Sequence, residues 1–182
     1  MSVFSNPASR SAADASAYIE ALLGLLGPSD PLEVLEKTPA ALRTSREGLS
    51  EREVAMAEAP GKWSVRHVLR HMADSEVVWG WRLRLVLAQD RPVLTGYDQD
   101  LWADRLLYHQ ADPDEALDEF GVLRRGHLRL LGRVPGDALR RVGVHAERGE
   151  ESVAHMIRLY AGHDLLHLRQ LERIRGVVKG NA

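Results

Sequence analysis

The sequence predicts an all-α protein, a four-helix bundle with one long crossover. Three observations carry that expectation. Nearly every segment repeats its apolar residues with the period of a helix. No segment shows a sustained alternation of β-branched residues. Gly and Pro turn signals divide the chain into four principal helical lengths, with one long irregular stretch between two of them.

The elements follow in order. SAADASAYIEALLGLLG is rich in Ala and Leu and closes at Gly27–Pro28, a stop signal. DPLE then supplies Asp30 as N-cap, Pro31 at the first helical position and Glu33 two residues on, a near-complete capping box. The helix it opens runs through LEVLEKTPAALRTSRE, with a kink or early break expected at Pro39. The pattern weakens around GLSEREVAMAEAPGK, and a turn falls at Pro60–Gly61. A long helix starts at Ser64 and continues through VRHVLRHMADSEVVWGWRLRLVLAQ. RPVLTGYDQDLWADRLLYHQ holds no steady period and reads as the crossover, with one short helix in it. Asp112, Pro113 and Glu115 repeat the capping logic and launch EALDEFGVLRRGHLRLLGR, which ends before Pro135–Gly136. RRVGVHAERGE reads as a short connection. The last helix, ESVAHMIRLYAGHDLLHLRQLERIR, is expected to stop at Gly176 with basic residues in its final turn.

Length and composition bound the rest. A chain of 182 residues that is 45% hydrophobic and 27% charged is globular and long enough for one proper core. We read a single domain over 1–182, with its core at about 32–176 and residues 1–12 flexible. A formal net charge of −2 gives no electrostatic reason to expect nucleic acid. The pairs Arg124–Arg125 and Arg140–Arg141 read as solvated helix faces. With no cysteine, thiolate nucleophiles, disulfides and Cys-ligated zinc are excluded. MSVFSNPASR lacks the apolar region of a signal peptide, and runs such as ALLGLLG are too short to span a bilayer. The expectation is a cytoplasmic protein with a small-molecule substrate and no membrane partner.

GHDLLHLRQ places His163 and His167 about 40° apart on a helical wheel, one turn above the other. They share a largely apolar stripe with Met156, Tyr160, Leu166, Gln170 and Ile174, which should face the bundle interior. Buried imidazoles need partners, and a divalent ion would satisfy both at once, because adjacent turns let two ring nitrogens converge. KWSVRHVLRHMADSE carries a second pair at the same spacing, His67 and His71. With Ser64 as N-cap, His67 falls at the third helical position, where a side chain folds back towards the helix start and an imidazole stays mostly neutral. His71, one turn deeper, is therefore the preferred third ligand, and His67 an outer partner or surface residue. Three histidines leave a coordination position open, as in catalytic sites.

Other residues take lesser roles. Gln170 and Asp74 are candidates to orient a ligand, and His145, just before the last helix, to overhang the site. Arg82 and Tyr160 are candidates to touch substrate. His109, His127 and His155 read as surface or capping residues. No GxSxG, Walker A, GxGxxG or HExxH motif is present. Asp164 and His167 approach the ExxH pattern of carboxylate di-iron bundles, but Asp164 lies about 100° from His163.

KWSVRHVLRHMADSE and YAGHDLLHLRQLERI together resemble the DinB/YfiT-like superfamily, over roughly Leu32 to Ile174. The resemblance implies a four-helix bundle, often a homodimer, with a divalent metal held by His71, His163 and His167. One departure is His67, where relatives commonly carry Glu or Gln. The family includes S-transferases that use low-molecular-weight thiols such as bacillithiol or mycothiol, a maleylpyruvate isomerase, and members described as metal-dependent hydrolases. The reading is therefore a metal-dependent enzyme that transfers a small thiol or hydrolyses a small substrate, with Zn or Ni favoured and Fe or Mn also suited to imidazole ligands. Two alternatives stand beside it. One is a non-catalytic, stress-related module in which the ion staples the bundle. The other is a metal-free interaction protein.

Overall fold

The computed structural model describes residues 12–180, so the expectation that residues 1–12 are flexible falls almost wholly outside the described residues. Seven helices are present among them: α1 (Ala12–Leu26), α2 (Pro31–Arg46), α3 (Glu51–Ala55), α4 (Val65–Ala88), α5 (Gln99–Arg105), α6 (Pro113–Leu131) and α7 (Val153–Gly180). The bundle is built from α2, α4, α6 and α7. Each of α4 and α2 packs on both α6 and α7, so the ring order is α2–α6–α4–α7, and α1 lies outside against α7.

Local chemistry explains the helix starts. Asp30 accepts from the Leu32 and Glu33 amides, and Asp112 from those of Asp114 and Glu115. Neither closes a reciprocal box, and Glu33 pairs with Lys37 instead. Among the described residues the one full capping box belongs to α3, where Ser50 and Glu53 exchange bonds. At α4 the Ser64 hydroxyl caps no amide and bonds His67 Nδ1 at 2.8 Å.

Several expectations need correction. α2 runs through Pro39 without a break. Proline has no N–H for the carbonyl four residues back, Leu35, and that oxygen accepts from Arg124 Nη1 at 2.9 Å instead. The last helix passes Gly176 and ends at Gly180. RRVGVHAERGE is a hairpin, not a plain connection. Strands β2 (Val142–His145) and β3 (Gly149–Ser152) pair antiparallel, and β1 (Val93–Leu94), from the crossover, joins β2 in parallel. Strands this short carry too few residues for a periodic signal, and β1 lies some fifty residues from its partner. Arg124 is fully buried, whereas Arg125 is exposed. Arg141 is exposed but donates to the Val86 and Gln89 carbonyls, capping the end of α4.

The core divides into two apolar clusters. One holds Leu42, Val68, Met72, Phe120, Leu171 and Ile174; the other holds Leu35, Trp79, Leu83, Met156 and Ile157. On every bundle helix the change from one cluster to the other falls at polar side chains: Thr38 on α2, Ser75 and Glu76 on α4, Arg124 on α6, and His163, Asp164 and His167 on α7. A polar layer thus crosses the middle of the bundle. α1 approaches this level closely because Gly162 has no side chain: a Cβ there would lie 2.4 Å from the Leu22 carbonyl oxygen.

Candidate metal centre

The polar layer has two halves. In the first, α4 contributes His71 and α7 contributes His163 and His167, and their Nε2 atoms converge. His163 Nε2 lies 3.2 Å from His71 Nε2 and 3.1 Å from His167 Nε2. Among the described residues these are the one set of three or more histidine or acidic side chains whose ligand atoms all lie within 4.8 Å of one another. Gln170 Oε1 accepts from His167 Nδ1 at 2.8 Å, which leaves the His167 Nε2 lone pair pointing into the cluster. Trp63 covers one face of His71, with ring centroids 5.0 Å apart. Ser75 Oγ sits 3.4 Å from His71 Nε2.

Burial sets the charge state. Desolvation, reinforced by the neighbouring imidazoles, holds His71 and His163 well below the ordinary histidine range. Burial likewise pushes His167 down to about 4. All three are neutral at physiological pH, the form that ligates a metal.

These residues fit a divalent ion. Each neutral imidazole has one N–H, and that of His167 is committed to Gln170. The remaining protons satisfy three mutually facing Nε2 atoms poorly: with a proton on His163 Nε2 one N–H must serve two acceptors, and without it the contact with His167 sets two lone pairs face to face. A cation accepts three lone pairs at once. Bonds of about 2.0–2.1 Å at tetrahedral angles place ligand nitrogens about 3.3–3.4 Å apart, close to the separations found here. His71 Nδ1 and His163 Nδ1 are buried without a partner, so only His167 has an outer hydrogen bond to orient it.

Acid stability follows with a definite sign. An unfolded chain protonates imidazole near pH 6.5, whereas these folded ones resist it, so below that pH the unfolded state binds more protons. Stability of the chelated protein is present above about pH 6.5 and is lost as pH falls towards about 4, by up to about 1.4 kcal/mol per pH unit for each histidine. Urea midpoints at pH 7.5, 6.5 and 5.5 test this. A midpoint that does not fall would show that the imidazoles take up protons without unfolding.

The second half of the layer is a buried ion cluster. Arg124 Nη2 donates to Glu76 Oε1 at 2.7 Å, and Nη1 donates to Asp164 Oδ2 at 2.6 Å. His127 Nδ1 bonds Glu76 Oε2 at 3.0 Å, and the Arg124 guanidinium also lies over Phe120, 4.6 Å from its centroid. Gly80 makes room for His127, whose Nε2 would stand 2.1 Å from any Cβ at that position. Burial raises the Asp164 carboxyl even with Arg124 beside it, while Arg124 is held above its usual range by Asp164 and Glu76 against its own desolvation. His127 is therefore a core residue, not the surface or capping residue expected of it.

The other expected site residues separate. His67 folds back onto Ser64, as its position predicts, and stays outside the cluster. Asp74 is bound to Arg70 and to the Tyr108 hydroxyl, not to a histidine of the cluster. His145 lies on β2, buried, and takes no part in the cluster. Arg82 and Tyr160 line a cavity of about 90 Å³ that His163 also lines, together with Tyr18, Ser75, Tyr97 and Arg148. Sequence reasoning missed Ser75, although it follows His71 by one turn on the same stripe. It also missed Arg148, which sits at a hairpin where no period marks it, and Tyr18, which reaches the cavity from α1 outside the bundle.

A sequence profile of the DinB superfamily matches residues 34–171. The chain belongs to the DinB superfamily. The DinB match spans the polar layer and all three converging histidines. Among curated relatives, a protein of Oceanobacillus iheyensis is 30% identical over 138 residues, covering 75% of this chain and 79% of that one. YfiT of Bacillus subtilis is 26% identical over 149 residues, covering 80% and 84%. Both carry the name "Putative metal-dependent hydrolase". The solved structure of YfiT superposes with a TM-score of 0.73 at 26% identity, covering 80% of this chain and 86% of that one. It is described as a metal-dependent hydrolase with an unusual four-helix bundle topology, the hydrolase assignment being given there as "probable". Among the described residues, no helix of this DinB member is long and apolar enough to cross a membrane.

Proposed function

We propose that this protein is a divalent-metal-dependent enzyme that acts on a small molecule, with His71, His163 and His167 as its metal ligands. The observation that carries the reading is the convergence of three neutral Nε2 atoms beside a cavity that His163 lines. Neither His67 nor His145 joins the cluster to close a fourth position, which favours an open, catalytic site over a purely structural one. A divalent ion held there supplies Lewis acidity, polarising a substrate oxygen and favouring the deprotonated form of a water or a thiol.

The chain's own residues do the rest. Gln170 fixes the His167 ring, and Ser75, between His71 Nε2 and the Tyr97 hydroxyl at 3.4 Å from each, offers a hydroxyl to a bound molecule. Trp63 and the bundle core exclude water from behind His71. Tyr160 stacks on Trp79, with centroids 4.7 Å apart, and so presents a rigid wall to the substrate.

Hydrolysis is the reading nearest to the names its relatives carry. Transfer of a small thiol to an electrophile is the second, and because the chain has no cysteine the thiol would have to be a cosubstrate. A panel of simple esters and amides, and of small thiols with an electrophilic acceptor, separates the two when run with Zn- or Ni-loaded and with chelated protein. Metal-dependent turnover of one class is expected. No metal-dependent turnover in either panel would overturn the enzymatic reading.

A further inference from the structure

The side chains that line the cavity beside the histidines include two arginines and no carboxylate. Arg82 reaches it from α4 and Arg148 from the hairpin, with the phenols of Tyr18, Tyr97 and Tyr160 and the amide of Gln99 around them. Arg148 is committed: its Nε and Nη2 fork onto Glu151, Nη2 at 2.9 Å. Arg82 has no carboxylate partner. It is 6% exposed, its Nη2 donates to the Thr95 carbonyl, it also hydrogen-bonds the Tyr160 phenol, its Nε is buried without a partner, and it forms no ion pair among the described residues. The two carboxylates of the adjoining cluster, Glu76 and Asp164, are already bound by Arg124 and His127.

A second buried donor, on His145, lies near Arg82 and Arg148 but outside the cavity lining. His145 Nδ1 accepts from the Glu147 amide, so its proton is on Nε2, and Nε2 is buried without a partner. Burial, with Arg148 and Arg82 near it, pushes this imidazole down to about 4, so it contributes no charge of its own. Glu151 balances Arg148, which leaves Arg82 without an ion-pair partner among the described residues, although the Glu147 carboxylate lies close by against Gly96. Leaving a guanidinium desolvated without an anion is costly, and two orphaned N–H groups ask for an acceptor.

We propose that this end of the cavity is an oxyanion subsite, with Arg82 as its principal ligand, and that it selects substrates carrying a carboxylate or a phosphate. The placement also bounds their size. Arg82 follows Ser75 by seven residues on one face of α4, about 10.5 Å of rise, and helical side chains lean back towards the N-terminus. The oxyanion and the group presented to the histidines are therefore separated by a spacer of only a few atoms. The cavity, about 90 Å³, suits a small molecule.

That the anion belongs to a substrate rests on the enzymatic reading above; the anion site itself does not. The test therefore uses chelated protein, in which no ion can capture the probe. Acetate and inorganic phosphate are titrated separately, followed by chemical shifts and by the rise in melting temperature. Saturable binding of at least one is expected, weakened about tenfold or more in Arg82→Gln and less in Arg82→Lys, which keeps the charge but not the fork. The better-bound probe identifies the headgroup as carboxylate or phosphate. Absence of saturable binding of both by the wild-type protein overturns the proposal, and so does equal affinity in a folded Arg82→Gln variant. Should Arg82→Gln fail to fold, the wild-type titration and Arg82→Lys decide. Anion binding without any metal-dependent turnover would sink the enzymatic reading and leave this site standing.

Discussion

Arg124→Met lowers the stability of the metal-free protein by about 3–5 kcal/mol, a large share of the roughly 5–15 kcal/mol that holds a domain folded. The reason lies in what remains after the substitution. Arg124 is fully buried and binds Glu76, Asp164 and the Leu35 carbonyl together. Methionine fills much of the volume but leaves two carboxylates without a cation and the Leu35 oxygen, already deprived of a helical donor by Pro39, with no partner at all. The loss reaches all four bundle helices, because the cluster takes Leu35 from α2, Glu76 from α4, Arg124 and His127 from α6, and Asp164 from α7. Chemical denaturation of the purified variant measures it. The triple variant Arg124→Met, Glu76→Gln, Asp164→Asn should recover part of the loss, since uncompensated charge is the larger component. A single-variant cost below about 1 kcal/mol would show that water or a proton neutralises the carboxylates at little expense.

His163→Ala brings the metal content from about one ion per chain to background, with the fold retained. His163 is the central member of the cluster, its Nε2 within 3.2 Å of both other ring nitrogens. Without it, His71 and His167 remain as two ligands on different helices. Gln170→Ala is the graded comparison. It removes only the hydrogen bond that orients His167, and outer partners of this kind are worth about 10–100-fold in affinity. Elemental analysis and competition with a chromophoric chelator give both values. Full stoichiometry in His163→Ala, with unchanged affinity, would rule out the three-histidine site.

The bundle was legible because long amphipathic helices announce themselves. α4 and α7 each carry a buried stripe several turns long, and Asp30-Pro31 and Asp112-Pro113 mark starts that the structure keeps. The grouping of His71 with His163 and His167 was legible for a related reason: helical spacing sets the face, and the capping position of His67 turns its ring towards Ser64. The three short strands were not legible, since two to four residues show no period and their pairing is set by distant partners. Nor was the burial of Arg124 and His127, because an Arg-rich helix reads as solvated until two carboxylates on other helices are known to face it.

By itself, then, the sequence determined the helices, the absence of thiol chemistry from the chain's own side chains, and which histidines share an inward face, because these depend on residue type and on spacing within one element. Only the tertiary structure decided that three Nε2 atoms meet, that Asp74 turns away from them to Arg70 and Tyr108, that a buried arginine ties the bundle together, and that Arg82 Nε is buried without a partner among the described residues. Each of these is a relation between groups brought together from different elements. Its energy depends on separation and on desolvation, neither of which any single stretch of chain contains.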